Sequence, residues 1–516
     1  MKLNYKRTIF VGFAFFLICA FWQAYDNTIP LILTNQFGLS QTVSGVVMAL
    51  DNILALFLLP LFGAISDRCR HRLGRRTPFI LFGTLVAAAA FVCLSFAGNL
   101  QLRQLEKVSK IDDPVALTEI YRQEKDAVLQ TPDGVSFKLS TVFSEAEFVS
   151  IRSQMIDEAG KQVTNANYTN YVVPARQAYA GTLTRQNAGP LVLFMVLLMV
   201  MLLSMSTFRS PAVALMPDVT AKPLRSKANA VINLMGSAGG ILVLGLGMLF
   251  ATGAVKNALM SYTLYFGVIA GIMLLALAIF MLKVKEPRLV QEMQAESRKY
   301  GLDEGEDDAS GTRKLSKDER RSLAFLLASI VLWFMGYNAV TSKYSVYASN
   351  ILHKDYNLTL MIAQAAAIVS YLPVGMVASR LGRKKTILAG VVMLTAAFAV
   401  ACFLRESSPT LLMNAMFALA GIGWATINVN SFPMVVELCR GGNVGKYTGF
   451  YYTASMAAQT VTPMISGFFM DQFGMTTLFP YAAVFAAMAF GTMLFVMHGD
   501  NKPLAKKGLE ALDVED

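Results

Sequence analysis

The chain has 516 residues, 55% of them hydrophobic and only 15% charged, with a formal net charge of +11. Soluble proteins carry about 25% charged residues, and here the apolar residues come in runs of about 20, the length that crosses a bilayer, so an ordinary soluble enzyme or binding domain is excluded. The basic residues sit in short clusters between those runs instead of forming one surface, the pattern of the positive-inside rule and not of nucleic-acid binding.

Taken in order, the apolar runs predict membrane helices over 8–34, 42–66, 78–98, 190–217, 227–251, 258–282, 322–348, 358–379, 385–404, 409–437, 447–470 and 476–498. The first run is too long and lacks the small-residue cleavage site of a signal peptide, so it reads as the first membrane helix. Basic clusters follow the even-numbered helices: Arg68 to Arg76 after the second, Lys222 to Lys227 after the fourth, Arg380 to Lys385 after the eighth, Arg440 and Lys446 after the tenth. These and Lys2, Lys6 and Arg7 fall on one side, so both termini are expected to be cytoplasmic and the protein to be multi-pass in a cell membrane. Residues 99–189 form a large external insert with helical patterning around 113–130 and 143–160, read either as a small folded cap or as a solvated loop. Residues 284–320 form a polar cytoplasmic linker, in which Ser316 and Glu319 have the spacing of a capping box opening the seventh helix. The expected units are 1–98 with 190–283, the insert 99–189, the linker 284–320, a second bundle 321–498 and a cytoplasmic tail 499–516. The five cysteines lie in or beside apolar runs, which gives no disulfide framework and no metal cluster, and no cofactor is expected.

The two halves repeat one another. At an offset of 312, Tyr25 falls on Tyr337, Asp26 on Asn338, Asn52 on Gln364, Gly63 on Gly375 and Arg68 on Arg380. Four extra residues in the first half change the offset to 308, which pairs Gly74 with Gly382, Arg75 with Arg383 and Arg76 with Lys384. Beyond the insert it becomes 219, pairing Asp218 with Glu437 and Arg209 with Asn428. A consistent series with two explained length changes indicates duplication, and two related bundles around a central cavity suit a carrier that exposes a mid-membrane site to each side in turn.

Residues 63–78 read GAISDRCRHRLGRRTP, and 375–386 read GMVASRLGRKKT. These resemble the Gly-x-x-x-Asp-Arg…Gly-Arg-Arg signature of the major facilitator superfamily. The expansion between Arg68 and Gly74, and the stretch SPAVALMPDVTAKPLRSKANAVINLMGSAGG at 210–240, resemble the plant sucrose transporters, solute carrier family 45 and the glycoside–pentoside–hexuronide:cation symporters. The resemblance implies an all-α membrane fold of twelve helices in two pseudo-symmetric six-helix bundles. It also implies symport of a small polar solute, a sugar or glycoside, with a proton or sodium ion. The insert departs from the pattern, and so does Ser379, which stands in the place of the acid of the signature.

The residues carry their own reading. Asp26, Asp51 and Arg209 fall near mid-depth by counting 1.5 Å per residue from the helix ends, and ionisable groups there are costly and usually functional. A cation-coupling role is expected for the three, against the alternative of a static ion pair. Sugars take hydrogen-bonding side chains and aromatic faces; the candidates are Trp22, Gln23, Tyr25, Asn52, Tyr337, Asn338, Gln364, Trp424, Asn428 and Gln459. A cytoplasmic gate is expected from Gly63, Asp67, Arg68, Gly74, Arg75, Arg76, Asp218, Arg380, Arg383 and Glu437. Asp67 is placed against a helix N-terminus, and Arg68, Arg75 or Arg76 is paired with Asp218. Lys343 is expected to snorkel to the external surface. Gly236, Gly239 and Gly240 read as close helix packing and not as a nucleotide loop, since no strand precedes them. The rival readings are a proton-coupled exporter or carrier of another solute, and a non-transporting receptor that binds its ligand through the insert. No catalytic constellation supports an enzyme. The partners expected are thus the solute, the ion and the bilayer, with the protein monomeric.

Overall fold

The computed structural model describes residues 3–156, 162–221, 224–299, 316–437 and 444–498. Twelve long helices dominate it: α1 (Tyr5–Asn35), α2 (Gln41–Arg68), α3 (Thr77–Gln104), α4 (Gly189–Val219), α5 (Arg225–Leu249), α6 (Thr263–Lys283), α7 (Lys317–Tyr347), α8 (Tyr356–Leu381), α9 (Arg383–Ala401), α10 (Thr410–Glu437), α11 (Val444–Phe473) and α12 (Leu478–Leu494). Among the described residues ten helices are long and apolar enough to cross a membrane; α8 and α11, of 26 and 30 residues, are long enough as well. Helix starts are fixed by short polar side chains that satisfy free N–H groups: Asn4 accepts from Arg7 N at 3.1 Å and Ser40 from Val43 N at 3.2 Å. Ser316 and Glu319 form the reciprocal capping box at the start of α7.

The packing partners repeat between the halves. In the first, α1 packs on α5 and α6, α3 on α4 and α6, and α2 on α4; in the second, α7 packs on α11 and α12, α9 on α10 and α12, and α8 on α10. Each half has its own apolar core. The contacts between halves obey the same two-fold relation: α2 meets α11, α5 meets α8, and α1 meets α7. Small residues permit the closest approaches. A Cβ on Gly239 would lie 2.6 Å from the Phe16 carbonyl, and one on Gly236 would lie 2.8 Å from Cys19 Sγ, so the glycines of α5 serve α1 packing.

Two connections are folded. Between α3 and α4 lie the helices Pro114–Glu124, Glu145–Ser150 and Val173–Gln186 and two antiparallel hairpins, β1 (Leu129–Gln130) with β2 (Ser136–Phe137) and β3 (Gln154–Ile156) with β4 (Gln162–Thr164). They enclose a core of their own that includes Leu117, Ile120, Phe148, Tyr168 and Val172. The solvated-loop reading is therefore corrected, and the helical patterns at 113–130 and 143–160 are each cut short by a hairpin whose strands are too brief to show a period. After α6 a helix, Glu286–Lys299, packs on α4. Residues 300–315 of the polar linker and the tail 499–516 lie outside the described residues.

Candidate functional site

Three helices of the first half bring the membrane charges together. Asp26 on α1, Asp51 on α2 and Arg209 on α4 are each partly buried, and Asp26 lies within electrostatic reach of both Asp51 and Arg209. Arg209 also reaches Asp51, and its guanidinium stands 5.5 Å from the Trp22 ring centre, a cation–π geometry. Asn52 Nδ2 donates to Asp51 Oδ1 at 2.9 Å. Tyr25 and, from the second half, Tyr337 both feel the charge of Asp26. The repeated tyrosines thus flank the same acid.

Aromatic faces and unpaired polar atoms surround this cluster. Tyr337 stacks flat on Trp424 with centroids 3.6 Å apart, and Trp22 sets its edge to Tyr25 at 5.4 Å. A Cβ on Gly240 would meet Gln364 Nε2 at 2.9 Å and Gln23 Oε1 at 3.3 Å, so the missing side chain makes room for glutamines from α1 and α8 to converge. Trp22 Nε1, Tyr25 Oη, Asn338 Nδ2 and Gln364 Oε1 are buried with no hydrogen-bond partner among the described residues. Buried polar atoms are almost always paired, so four such atoms on α1, α7 and α8 are hydrogen-bonding capacity held in reserve. Asn428 and Gln459 are partly buried on α10 and α11.

The basic turn between α2 and α3 builds a second cluster. Arg75 grips Asp218 with Nε to Oδ2 at 3.1 Å and Nη2 to Oδ1 at 2.5 Å, and Arg76 Nε reaches Asp218 Oδ2 at 2.8 Å. Arg76 also pairs with Asp67 and donates to the Ser66 hydroxyl. Asp67 therefore does not cap a helix as expected. That role belongs to Glu286, which sequence reasoning missed. Its carboxylate accepts from Arg75 N at 2.8 Å, Arg76 N at 3.0 Å, Thr77 N at 2.8 Å and Thr77 Oγ1 at 2.7 Å, and Glu286 is buried. The N-terminus of α3 is where a carboxylate is stabilised most, and Gly74, at φ +111°, is needed because a Cβ there would strike that carboxylate at 2.3 Å. The only signal in the sequence was an acid directly after the sixth apolar run.

Gly63 approaches Ser210 of α4, and its carbonyl accepts from Arg76 Nη1 at 3.4 Å. Arg68 and Arg380 are exposed, and the pairing of Arg68 with Asp218 gives way to Arg75 and Arg76. Arg383 is partly buried. The side chain of Glu437 lies outside the described residues. The described network joins the α2–α3 turn, α4 and the helix Glu286–Lys299, all of them in the first half or directly after it.

Lys343 overturns its expectation. It is completely buried, and Nζ donates to the Gln41 carbonyl at 2.6 Å. Beside it Asp471, at the end of α11, accepts from Gln41 N at 2.8 Å, Thr42 N at 2.7 Å and Thr42 Oγ1 at 2.5 Å. Residues of the second half thus hold the first turn of α2. The two-fold counterpart is the α5–α8 contact, where Thr252 and Tyr356 share a 2.7 Å hydrogen bond and Ser349 Oγ donates to the Gly253 carbonyl at 2.9 Å. All four contacts lie at the end that carries the insert.

Known proteins share the family and the fold of this chain. The Major Facilitator Superfamily pattern matches residues 11–103, 178–367 and 350–512. A human protein named proton-associated sugar transporter A is 32% identical over 132 residues, which are 26% of this chain and 16% of that protein. Its mouse counterpart is 43% identical over 70 residues, 14% of this chain and 9% of that protein. The Escherichia coli protein named glycoside/cation symporter YagG is 35% identical over 68 residues, 13% of this chain and 15% of that protein. These matches span less than a fifth of each relative. In fold, the inward-open structure of the E. coli xylose transporter XylE aligns with a TM-score of 0.59 at 14% identity, covering 99% of both chains. A mutant of the nucleoside transporter NupG gives 0.54 at 11% identity, covering 95% of this chain and 100% of that one. With the family pattern running through both bundles and the fold to match, this chain is a multi-pass membrane protein that belongs to the Major Facilitator Superfamily of transporters.

Proposed function

We propose that the protein is a secondary active symporter that carries a small neutral polyhydroxyl solute, a sugar or glycoside, together with a proton or sodium ion. The observation that carries the reading is the cluster of Asp26, Asp51 and Arg209 beside stacked aromatic rings and unpartnered polar atoms contributed by both halves. Sugars bind through such faces and donors. Acids inside a membrane that share one arginine suit a site that loads and releases a cation. Asp26 and Asp51 are assigned the cation and Arg209 the response to their charge; Trp22, Gln23, Tyr25, Asn52, Tyr337, Asn338, Gln364, Trp424, Asn428 and Gln459 are assigned the solute. Asp67, Arg75, Arg76 and Asp218, with Gly63 and Gly74, are assigned the cytoplasmic gate, with Arg68, Arg380, Arg383 and Glu437 around them. The basic end then faces the cytoplasm with both termini, in a cell membrane, and the carrier works as a monomer. The relatives named for sugar and glycoside transport support this choice over an exporter.

The test is uptake by proteoliposomes from a panel of labelled sugars, with and without imposed proton and sodium gradients. Asp26→Asn and Asp51→Asn are expected to abolish gradient-driven accumulation while leaving exchange of solute down its own gradient. Uphill accumulation that survives in both variants sinks the coupling assignment, and a panel with no transported sugar sinks the substrate assignment.

A further inference from the structure

The insert between α3 and α4 belongs to the first half by chain connection. Its base is fastened there rigidly. Gln177 Nε2 donates to Asn35 Oδ1 at 2.8 Å, and Gln101 Nε2 donates to Thr184 Oγ1 and to the Gln36 carbonyl, both at 2.9 Å. A Cβ on Gly38 would lie 2.2 Å from the Gln177 carbonyl, so the turn between α1 and α2 touches the insert backbone to backbone. The insert also has its own core, so it moves as a unit with the first bundle.

Its tip, however, rests on the second half. The turn joining β1 to β2 offers the Pro132 carbonyl to Met475 N at 2.6 Å. A Cβ on Gly134 would stand 2.6 Å from the Phe473 carbonyl, and one on Gly474 would stand 2.5 Å from Asp133 C, so two glycine turns lie in direct backbone contact. Both glycines adopt positive φ, +92° and +90°. This corner, between α11 and α12, is the one that begins three residues after Asp471. The Asp471 carboxylate on the start of α2, the Lys343 ammonium on the Gln41 carbonyl and the insert tip on Met475 therefore converge on one small region from both halves.

We propose that the insert is a strap that works with Asp471 and Lys343 as the gate at this end of the carrier. A charged carboxylate on two backbone N–H groups and a hydroxyl is a strong, directional contact, and it needs α2 and α11 side by side. The strap closes over the same corner, so each contact raises the effective concentration of the other. To expose the mid-membrane site on this side, the halves must part at α2 and α11, and the tip must leave Met475 in the same motion. In this arrangement the insert sets how readily the carrier opens there; it is not the part that recognises the solute.

The test reads conformation without any substrate, so failure of the strap and failure of the symport assignment are told apart. Ser44 is fully buried on α2, one turn beyond the residues that Asp471 holds. A Ser44→Cys protein in sealed membranes is treated from the insert side with a membrane-impermeant maleimide, against the parent protein as the background for the native cysteines. Labelling of Ser44→Cys is expected to be slow, to rise roughly tenfold when Asp471→Ala is added, which corresponds to about 1.4 kcal/mol of shift toward the open state, and to rise less with Asp471→Asn, which keeps an acceptor. Replacing residues 131–134 by two glycines is expected to raise it comparably. An unchanged rate with the shortened tip overturns the strap, and an unchanged rate in both Asp471 variants overturns the gate.

Discussion

Glu286 shows what one side chain does at the basic end. Its two oxygens accept three backbone N–H groups and a hydroxyl at the start of α3, and it is 1% exposed. Removing it leaves buried donors unpaired, at about 1–3 kcal/mol for each such group and less than additively. Glu286→Ala is therefore expected to lower the apparent melting temperature of the detergent-purified protein, and Glu286→Gln to lower it less. It is also expected to loosen Arg75 and Arg76, whose backbone it fixes, and a melting curve unchanged by Glu286→Ala would refute the role. Glu286 was not legible in the sequence because its partners lie 209 to 211 residues away. Asp218 was legible, because a lone acid at a fixed place in a repeat has few cations to meet. Lys343 was misread for a related reason: snorkelling assumes that the nearest polar medium is water, and here it is a carbonyl of the facing helix.

At the scale of elements, the crossing of α2 and α11 depends on two glycines. A Cβ on Gly45 would lie 2.0 Å from the Pro463 carbonyl and one on Gly467 would lie 2.3 Å from the Gln41 carbonyl. Neither contact can be relieved by rotating a side chain, since the obstructing atoms are backbone. Gly45→Ala is expected to hold the bundles apart at this crossing and to speed labelling of Ser44→Cys as Asp471→Ala does; a rate equal to that of the parent would show that the helices part without cost. In the insert, the helix Glu145–Ser150 is opened by a capping box in which Glu147 accepts from the Ser144 amide and hydroxyl, and these bonds hold the Glu147 carboxyl below its ordinary value of 4.5. A carboxyl lowered by folding contributes stability above its unfolded pKa and loses it as the pH falls through the lower, folded value. Protection against hydrogen exchange over 144–150, taken relative to the unstructured rate at the same pH, is thus expected to be flat above about pH 4.5 and to fall only below it, and Glu147→Gln is expected to remove the acid dependence. The twelve helices were legible because bilayer thickness imposes their length. The hairpins were not, because two- and three-residue strands carry no periodicity.

The whole molecule is a duplicated bundle whose two halves share packing partners and whose contacts with each other obey the same two-fold rule. Symmetry of that kind lets one scaffold adopt two related arrangements, which is what a carrier needs. The charges break it: Asp26, Asp67 and Arg209 answer to Asn338, Ser379 and Asn428, so these three charges have no charged counterpart in the second half, which brings the Tyr337–Trp424 face. The candidate site was legible as far as the repeat could point, which is why Tyr25 and Tyr337 were found together. The contacts at the insert end were not, because the offset of 219 sets Thr252 on Asp471, so a hydroxyl answers to an acid and the pair shows no likeness of residue type.

The hairpin tip at 131–134 meets the loop at 473–475 with Asp133 and Phe473 exposed at the seam. A nanobody whose long loop gripped both at once would lock the carrier from that face without entering the membrane or competing for the solute pocket, and a binder to either alone would prise them apart.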